Sequence, residues 1–68
     1  MNMIFGTKLK EVRVENNLTQ KQLAEFLHVS TTTICQWETL KQEPSLDALT
    51  AIAKLFHISA DYLLGLDL

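Results

Sequence analysis

Apolar side chains recur at three- and four-residue steps along most of the chain, a period that is typical of amphipathic helices. The first such stretch predicts a helix over about residues 4–16, and Asn17 after it is one of the few residues that readily take a positive φ at a helix end. The predicted inward stripe of this helix is Phe5, Leu9, Val12 and Asn16.

Two further helices are predicted on either side of a short turn at His28 and Val29. Thr19 and Gln22 have the spacing of a capping box, so the second helix begins there, and Ser30 can cap a third that continues to about residue 39. The residues of the second helix that are predicted to point inward are Leu23, Ala24 and Leu27.

A fourth helix is predicted after Pro44 and Ser45, with Asp47 favourably near its amino end, and Ser59 can cap a short fifth helix to about residue 64. The inward set of the fourth helix is predicted to be Leu46, Leu49, Ile52, Ala53 and Phe56. No segment alternates with a period of two. The fold class is therefore predicted to be all-α, a compact bundle of five short helices in which helices two and three form a helix-turn-helix.

The chain contains a weak internal repeat, because AEFLHVS at residues 24–30 is similar to AKLFHIS at residues 53–59. Coincidence between two capped helices and common ancestry are both open explanations. The segments that come next differ in polarity, since TTTICQ is mostly polar and ADYLL is mostly apolar. Of these two segments, only the polar one, in the third helix, is predicted to offer a face for contact outside the chain.

Helical geometry divides the third helix into two faces. Ile34 and Trp37 lie on the face that is predicted to pack. The other face holds Thr32, Thr33, Gln36 and Thr39. An ordinary solvated face is the alternative, but such faces usually carry Glu and Lys, and this one carries no charge. Glutamine can bond adenine in two places and threonine suits several base edges, so the residues favour reading of bases in the major groove.

The charge argues in the opposite direction, because the net charge is −2 and the isoelectric point is near 5.5, whereas DNA-binding domains usually carry a basic excess. The distribution of the charges along the chain weakens this objection to DNA binding. From Pro44 onward Lys54 stands against three aspartates, and the other cations lie earlier in the chain, at Lys8, Lys10, Arg13, Lys21 and Lys41.

Other classes of protein find little support. The 68 residues fit one domain, residues 1–68, with no apolar run long enough to span a membrane and no signal peptide at the start. Cys35 is the lone cysteine, so a reducing cytoplasm is expected. His28 and His57 lack the spacing of a zinc site, and no phosphate loop or nucleophile with a base occurs. No metal, cofactor, small-molecule ligand or enzymatic activity is expected.

The sequence resembles the Cro and lambda-repressor-like helix-turn-helix family over nearly its whole length. The resemblance rests on LTQKQLA at 18–24, Val29-Ser30, Ile34, Trp37-Glu38, Pro44, Leu49, Ile52-Ala53 and DYLLG at 61–65. It implies a five-helix DNA-binding domain in which Gln20 contacts phosphate while Thr31, Thr32 and Gln36 face bases. Thr33 is a neighbouring candidate for base contact, and Lys21 and Lys41 are candidates for phosphate contact. For Gln20 the alternative is that it only caps its own helix.

Arg13 lies on or beside the apolar stripe of helix one, where an unpaired charge would be costly, and Glu38 lies at a helix end that disfavours an anion. A specific ion pair would explain both positions, and the resemblance implies the same pair; two separately solvated charges are the alternative. Two positions depart from the family pattern. His28 replaces a common glycine, and Thr39-Leu40 replaces a frequent Asn-Gly, where leucine is poorly suited to a positive φ.

One reading helix covers few base pairs, so a homodimer on a palindromic double-stranded operator is expected. The apolar surplus available for a dimer contact is Tyr62, Leu64, Leu66 and Leu68, although a frayed tail would equally explain the last two. The expected function is transcriptional regulation, as a repressor. If the 68 residues are a whole protein, control would act through operator occupancy and dimer concentration. If they are a fragment, the missing part could sense a ligand or mediate dimerisation. The alternative function is a protein-interaction module, such as an antitoxin or anti-repressor, which the acidic charge favours.

Overall fold

A computed structural model describes residues 3–66, and it contains five helices and no strand within that range. The helices are α1 (Met3–Glu15), α2 (Gln20–Leu27), α3 (Thr31–Glu38), α4 (Leu46–Phe56) and α5 (Ala60–Leu64). The all-α prediction is confirmed, and the helix boundaries lie within one residue of those expected from the sequence.

Hydroxyl side chains begin four of the helices. Thr19 Oγ1 accepts the backbone N–H of Gln22 at 3.0 Å, and Gln22 Oε1 accepts the backbone N–H of Thr19 at 2.9 Å, so the predicted capping box is present. Ser30, Ser45 and Ser59 each accept the backbone N–H three residues later, at 3.1, 3.1 and 3.0 Å. These bonds satisfy amide groups that have no partner inside a helix.

All five helices end in the same way, with one residue in the left-handed region and a pair of backbone bonds that run back into the last turn. In α2 the residue is His28, whose N–H bonds to the Glu25 carbonyl while the Val29 N–H bonds to the Ala24 carbonyl. This is the Schellman arrangement. The five left-handed residues are Asn17, His28, Leu40, His57 and Gly65.

Leu40 corrects an expectation, because it takes a φ of 66° although leucine is poorly suited to that region. Its side chain is half-buried and lies against Gly6 of α1: a Cβ added to that glycine would come 2.6 Å from Leu40 Cδ2. Packing against α1 therefore compensates for the backbone strain. The same contact explains why glycine occupies position 6, since a Cβ there would also lie 2.7 Å from the Trp37 carbonyl oxygen.

The core joins α1 to α3 and α5, and α2 to α3. Its buried apolar side chains are Phe5, Leu9, Val12, Leu23, Ala24, Ile34, Trp37, Ile52 and Leu63. Two predictions about inward residues are wrong. Leu46 is 81% exposed because it is the first residue of α4 and precedes the turn that reaches the core. Asn16 is exposed because α1 has already ended, and its side chain donates to the Val12 carbonyl at 2.7 Å.

Candidate nucleic-acid interface

The pair α2 and α3 forms a helix-turn-helix that is held from inside by apolar packing. Leu23 and Ala24 of α2 and Ile34 and Trp37 of α3 are all buried in one cluster. The turn is short because His28 ends α2 in the left-handed region and Ser30 caps α3 two residues later. The relative orientation of the two helices is thus set by the core, and their outer faces are left for contact with other molecules.

The outer face of α3 carries the residues predicted to read bases. Thr31 and Thr32 are exposed at its first turn, and Gln36 is half-buried one turn later. Thr33 is also half-buried, and its hydroxyl shares a hydrogen bond of 2.8 Å with the hydroxyl of Ser30. Thr33 is therefore engaged within the chain, while Thr31 and Thr32 present their hydroxyls at the surface.

The residues predicted to contact phosphate lie at the edges of this face. Gln20 is the first residue of α2, and Lys21 beside it is exposed. Lys41 is exposed just after α3, where its backbone N–H bonds to the Gln36 carbonyl at 2.8 Å. The arrangement places donors at the amino end of α2 and at the exit of α3.

Arg13 and Glu38 form a largely buried ion pair between α1 and α3. Arg13 Nε donates to Glu38 Oε2 at 2.7 Å and Nη2 donates to Oε1 at 3.1 Å, with the two side chains 11% and 3% exposed. Nη1 of the same guanidinium donates to the Leu18 carbonyl at 2.8 Å. The bidentate geometry satisfies a charge pair that would be costly if either partner were missing.

Sequence reasoning missed a further bond at this pair: Gln20 Nε2 donates to Glu38 Oε1 at 3.0 Å. Gln20 does not cap α2, because Thr19 does. The bond joins residues 18 positions apart, and no periodicity or capping signal in the sequence connects them. It arises only because the start of α2 and the end of α3 come together in the fold.

The residues predicted to form a dimer contact lie at the other end of the chain. Tyr62 and Leu64 of α5 are half-buried and Leu66 is 62% exposed, while Leu68 lies outside the described residues. The ammonium group of Lys8 lies 4.6 Å from the centre of the Tyr62 ring, so a cation already covers part of that aromatic face.

Residues 3–66 offer neither a metal-binding cluster nor a membrane-spanning helix. Within this range, no group of three or more His, Cys, Asp or Glu side chains is placed to hold a metal ion. Among the same residues, no helix combines the length and the apolar character that crossing a membrane requires.

Two helices that pack against each other across a short turn define a helix-turn-helix. Residues 9–63 match the family model described as helix-turn-helix, and the chain belongs to this family. The family is one of transcription regulators and not of enzymes.

Relatives and a solved structure extend this result. The chain is 47% identical over 63 residues to the HTH-type transcriptional activator BcrR of Enterococcus faecalis, covering 93% of this chain and 31% of that protein. It is 37% identical to the HTH-type transcriptional regulator ImmR of Bacillus subtilis (strain 168), covering 96% of this chain and 51% of the relative. The chain thus spans about half or less of the length of these two relatives.

A crystal structure of the P22 c2 repressor protein in complex with a synthetic operator resembles the whole fold. Its TM-score is 0.87 at 33% identity, and the match covers 94% of this chain and 97% of the other. The resemblance therefore includes α1, α4 and α5 as well as the helix-turn-helix itself.

Proposed function

We propose that the chain binds double-stranded DNA with sequence specificity and regulates transcription, with α3 in the major groove. The observation that carries this proposal is the uncharged polar face of Thr31, Thr32 and Gln36 on a helix whose other side is locked into the core. The operator complex of the P22 c2 repressor supports it, because the match covers nearly all of this chain and of the chain in that structure.

In this proposal Gln36 makes a bidentate contact to a base, and the threonine hydroxyls and methyl groups contact neighbouring base edges. Gln20, Lys21 and Lys41 contact phosphates, where the amino end of α2 adds a favourable dipole. Thr33 supports the start of α3 through Ser30 and is the weakest candidate for direct base contact. The face carries no arginine or lysine, so each protomer is expected to bind weakly.

Two protomers on a palindromic operator would compensate for this weakness, with half-sites about one helical turn apart. We assign the dimer contact to the exposed apolar surface near α5, which includes Leu66 and the half-buried Tyr62 and Leu64, and extend it to Leu68. Leu66→Glu should lower the sedimentation mass at micromolar concentration from that of a dimer to that of a monomer. The same substitution should weaken binding to a two-half-site duplex more than binding to one half-site.

The experiment that tests the function is selection of bound duplexes from a random pool, followed by titration of the selected site. A palindromic consensus is expected. Binding should weaken steeply as salt rises, because phosphate contacts release counterions. Failure to select any duplex at low salt would contradict the proposal and favour a protein-interaction module, the alternative that the net charge of −2 supports.

Substitutions separate base reading from phosphate contact. Gln36→Ala should lose about 1–3 kcal/mol on the selected site and little on scrambled DNA, whereas Gln20→Ala should weaken both similarly. Thr32→Ala, which removes a proposed base contact, should also weaken binding to the selected site. Its control is Thr50→Ala, which removes an exposed hydroxyl from α4 and should leave binding unchanged. An equal loss on all sequences for Gln36→Ala would remove that residue from the reading surface.

We further propose that the chain represses transcription in the cytoplasm by occupying its operator. A reporter promoter that overlaps the selected site should fall in activity when the protein is expressed. A rise would make the chain an activator, as its relative BcrR is named.

A further inference from the structure

Glu38 holds more than its ion-pair partner. Its carboxylate accepts three N–H groups: Arg13 Nε at 2.7 Å, Arg13 Nη2 at 3.1 Å and Gln20 Nε2 at 3.0 Å. The Glu38 side chain is 3% exposed, so these bonds are made away from competing water. The amide of Gln20 is therefore tied to a buried, neutralised carboxylate at the last residue of α3.

The chemistry of the carboxylate determines which end of the amide faces inward. An ionised carboxylate only accepts hydrogen bonds, so the amide nitrogen of Gln20, which carries two hydrogens, must lie against it. One hydrogen is used by Glu38. Because Gln20 is only half-buried, the second hydrogen remains for an acceptor outside the chain, and a phosphate oxygen is such an acceptor.

We propose that Glu38 is a positioning residue for DNA binding, which orients the Gln20 amide toward a phosphate and couples that contact to α3. The inference rests on the proposed function. A side chain that is held in its binding rotamer loses less entropy on association than a free one. Because Glu38 belongs to α3, the same bond fixes the distance between the phosphate contact and the reading face. Arg13 neutralises the carboxylate, which keeps a bare anion away from the backbone of the DNA.

The first test needs no substitution. In a nitrogen-15 spectrum of the DNA-free chain, the two side-chain amide protons of Gln20 should be well separated, with one protected from exchange, while the exposed Gln42 amide should behave as a free one. On addition of the duplex selected by the chain, the outer proton of Gln20 should shift and the proton bonded to Glu38 should change little. A hydrogen bond with a purely structural role would give the first signature without the second.

The second test is a double-mutant cycle on the same duplex, at a temperature where circular dichroism shows every variant folded. Gln20→Ala should weaken binding about tenfold, the effect of one hydrogen bond to a charged group. Glu38→Gln should weaken binding by a similar factor. The double variant should bind the duplex no more weakly than whichever single variant has the lower affinity. The control is Lys21→Ala combined with Glu38→Gln, whose losses should multiply, because Lys21 is a phosphate candidate that Glu38 does not hold.

If Glu38→Gln does not fold, Glu38→Asp keeps the charge for Arg13 and shortens the reach to Gln20, and it takes the same place in the cycle. Losses at positions 20 and 38 that multiply, or a Gln20 amide that behaves like that of Gln42, would overturn the inference while the proposed function stands. If the wild-type chain selects no duplex, the proposed function fails and the inference fails with it.

Discussion

The helix pairs α2–α3 and α4–α5 have the same backbone conformation at their connecting turns, but the second helix of each pair presents a surface of different polarity. His28 has φ and ψ of 58° and 42°, and His57 has 57° and 43°. The residue after each histidine donates to a carbonyl five residues earlier, and both bonds measure 3.0 Å. Ser30 and Ser59 then cap the next helix with nearly equal dihedral angles. The weak internal repeat of the sequence is thus also a repeat of backbone conformation.

The difference lies in the helix that each serine caps. α3 has eight residues with exposed threonines, whereas α5 has five residues and carries Tyr62 and Leu64 at half-buried positions. Ile34 and Leu63 occupy the same place, four residues after the serine, and both are completely buried. A short local signal therefore makes the turn, while the outward residues of the second helix decide what it contacts.

The largest expected effect comes from the shared buried position. Ile34→Ala and Leu63→Ala should each lower the free energy of unfolding by about 2–5 kcal/mol, because each leaves a cavity in the core. Urea unfolding monitored by circular dichroism measures this. Leu46→Ala, at a position 81% exposed, is the control and should stay within about 0.5 kcal/mol of the wild type. A loss confined to one of the two pairs would break the structural equivalence.

The substitution Gly6→Ala should disturb only the first of the two helix pairs, α2–α3, because position 6 lies against the end of α3. The new Cβ would lie 2.6 Å from Leu40 Cδ2, 2.7 Å from the Trp37 carbonyl oxygen and 2.9 Å from the Glu38 carbonyl oxygen. The free energy of unfolding should fall by about 1–3 kcal/mol from overpacking. Helix propensity alone predicts a gain of up to about 1 kcal/mol, so thermal unfolding decides between the two by sign. Amide shifts should change at the end of α3 and little in α4, and Thr7→Ala is the exposed control.

The two caps test stability against binding. Ser30→Ala and Ser59→Ala should each cost about 1 kcal/mol in the free energy of unfolding, because each leaves a helix amide without its acceptor. Under the proposed function only Ser30→Ala should also weaken binding to a single half-site, since it loosens the first turn of α3, whereas α5 acts on binding only through the dimer contact. Equal weakening by both variants, measured where both are folded, would remove this distinction between α3 and α5.

The smallest effect is expected at the two left-handed histidines. His28→Gly and His57→Gly should each stabilise the chain by about 0.5 kcal/mol, because glycine takes a positive φ without strain but loses more entropy on folding. Ala51→Gly on the exposed side of α4 is the matched control and should destabilise by about 1 kcal/mol. Effects of opposite sign at the two histidines in thermal unfolding would show that the turns are not energetically equivalent.

Much of the fold could be predicted because its signals are local. The Thr19 capping box, the serine caps and the left-handed Asn17 each involve residues within a few positions of one another. The burial of Ile34 and Trp37 followed from helical period alone. Leu46 was predicted wrongly because period places a residue on a face but does not say where along the helix the core begins.

Part of the candidate site could likewise be predicted from the sequence, and part could not. The uncharged face of Thr32 and Gln36 followed from spacing within one helix, and the pairing of Arg13 with Glu38 followed from the cost of leaving each charge unpaired. The bond from Gln20 to Glu38 did not follow, because a neutral amide at a helix start has many acceptable environments, water included.

The sequence by itself determined five helices, four of them with a hydroxyl cap at the start, together with two similar turns and the contrast between a polar α3 and an apolar α5. Each of these depends on residues close together in the chain. Only the tertiary structure decided that Gly6 admits the end of α3, that Leu40 takes a positive φ, and that Gln20 is tied to Glu38. Each of these depends on how closely one helix approaches another, and that distance is set by the packing of the whole core.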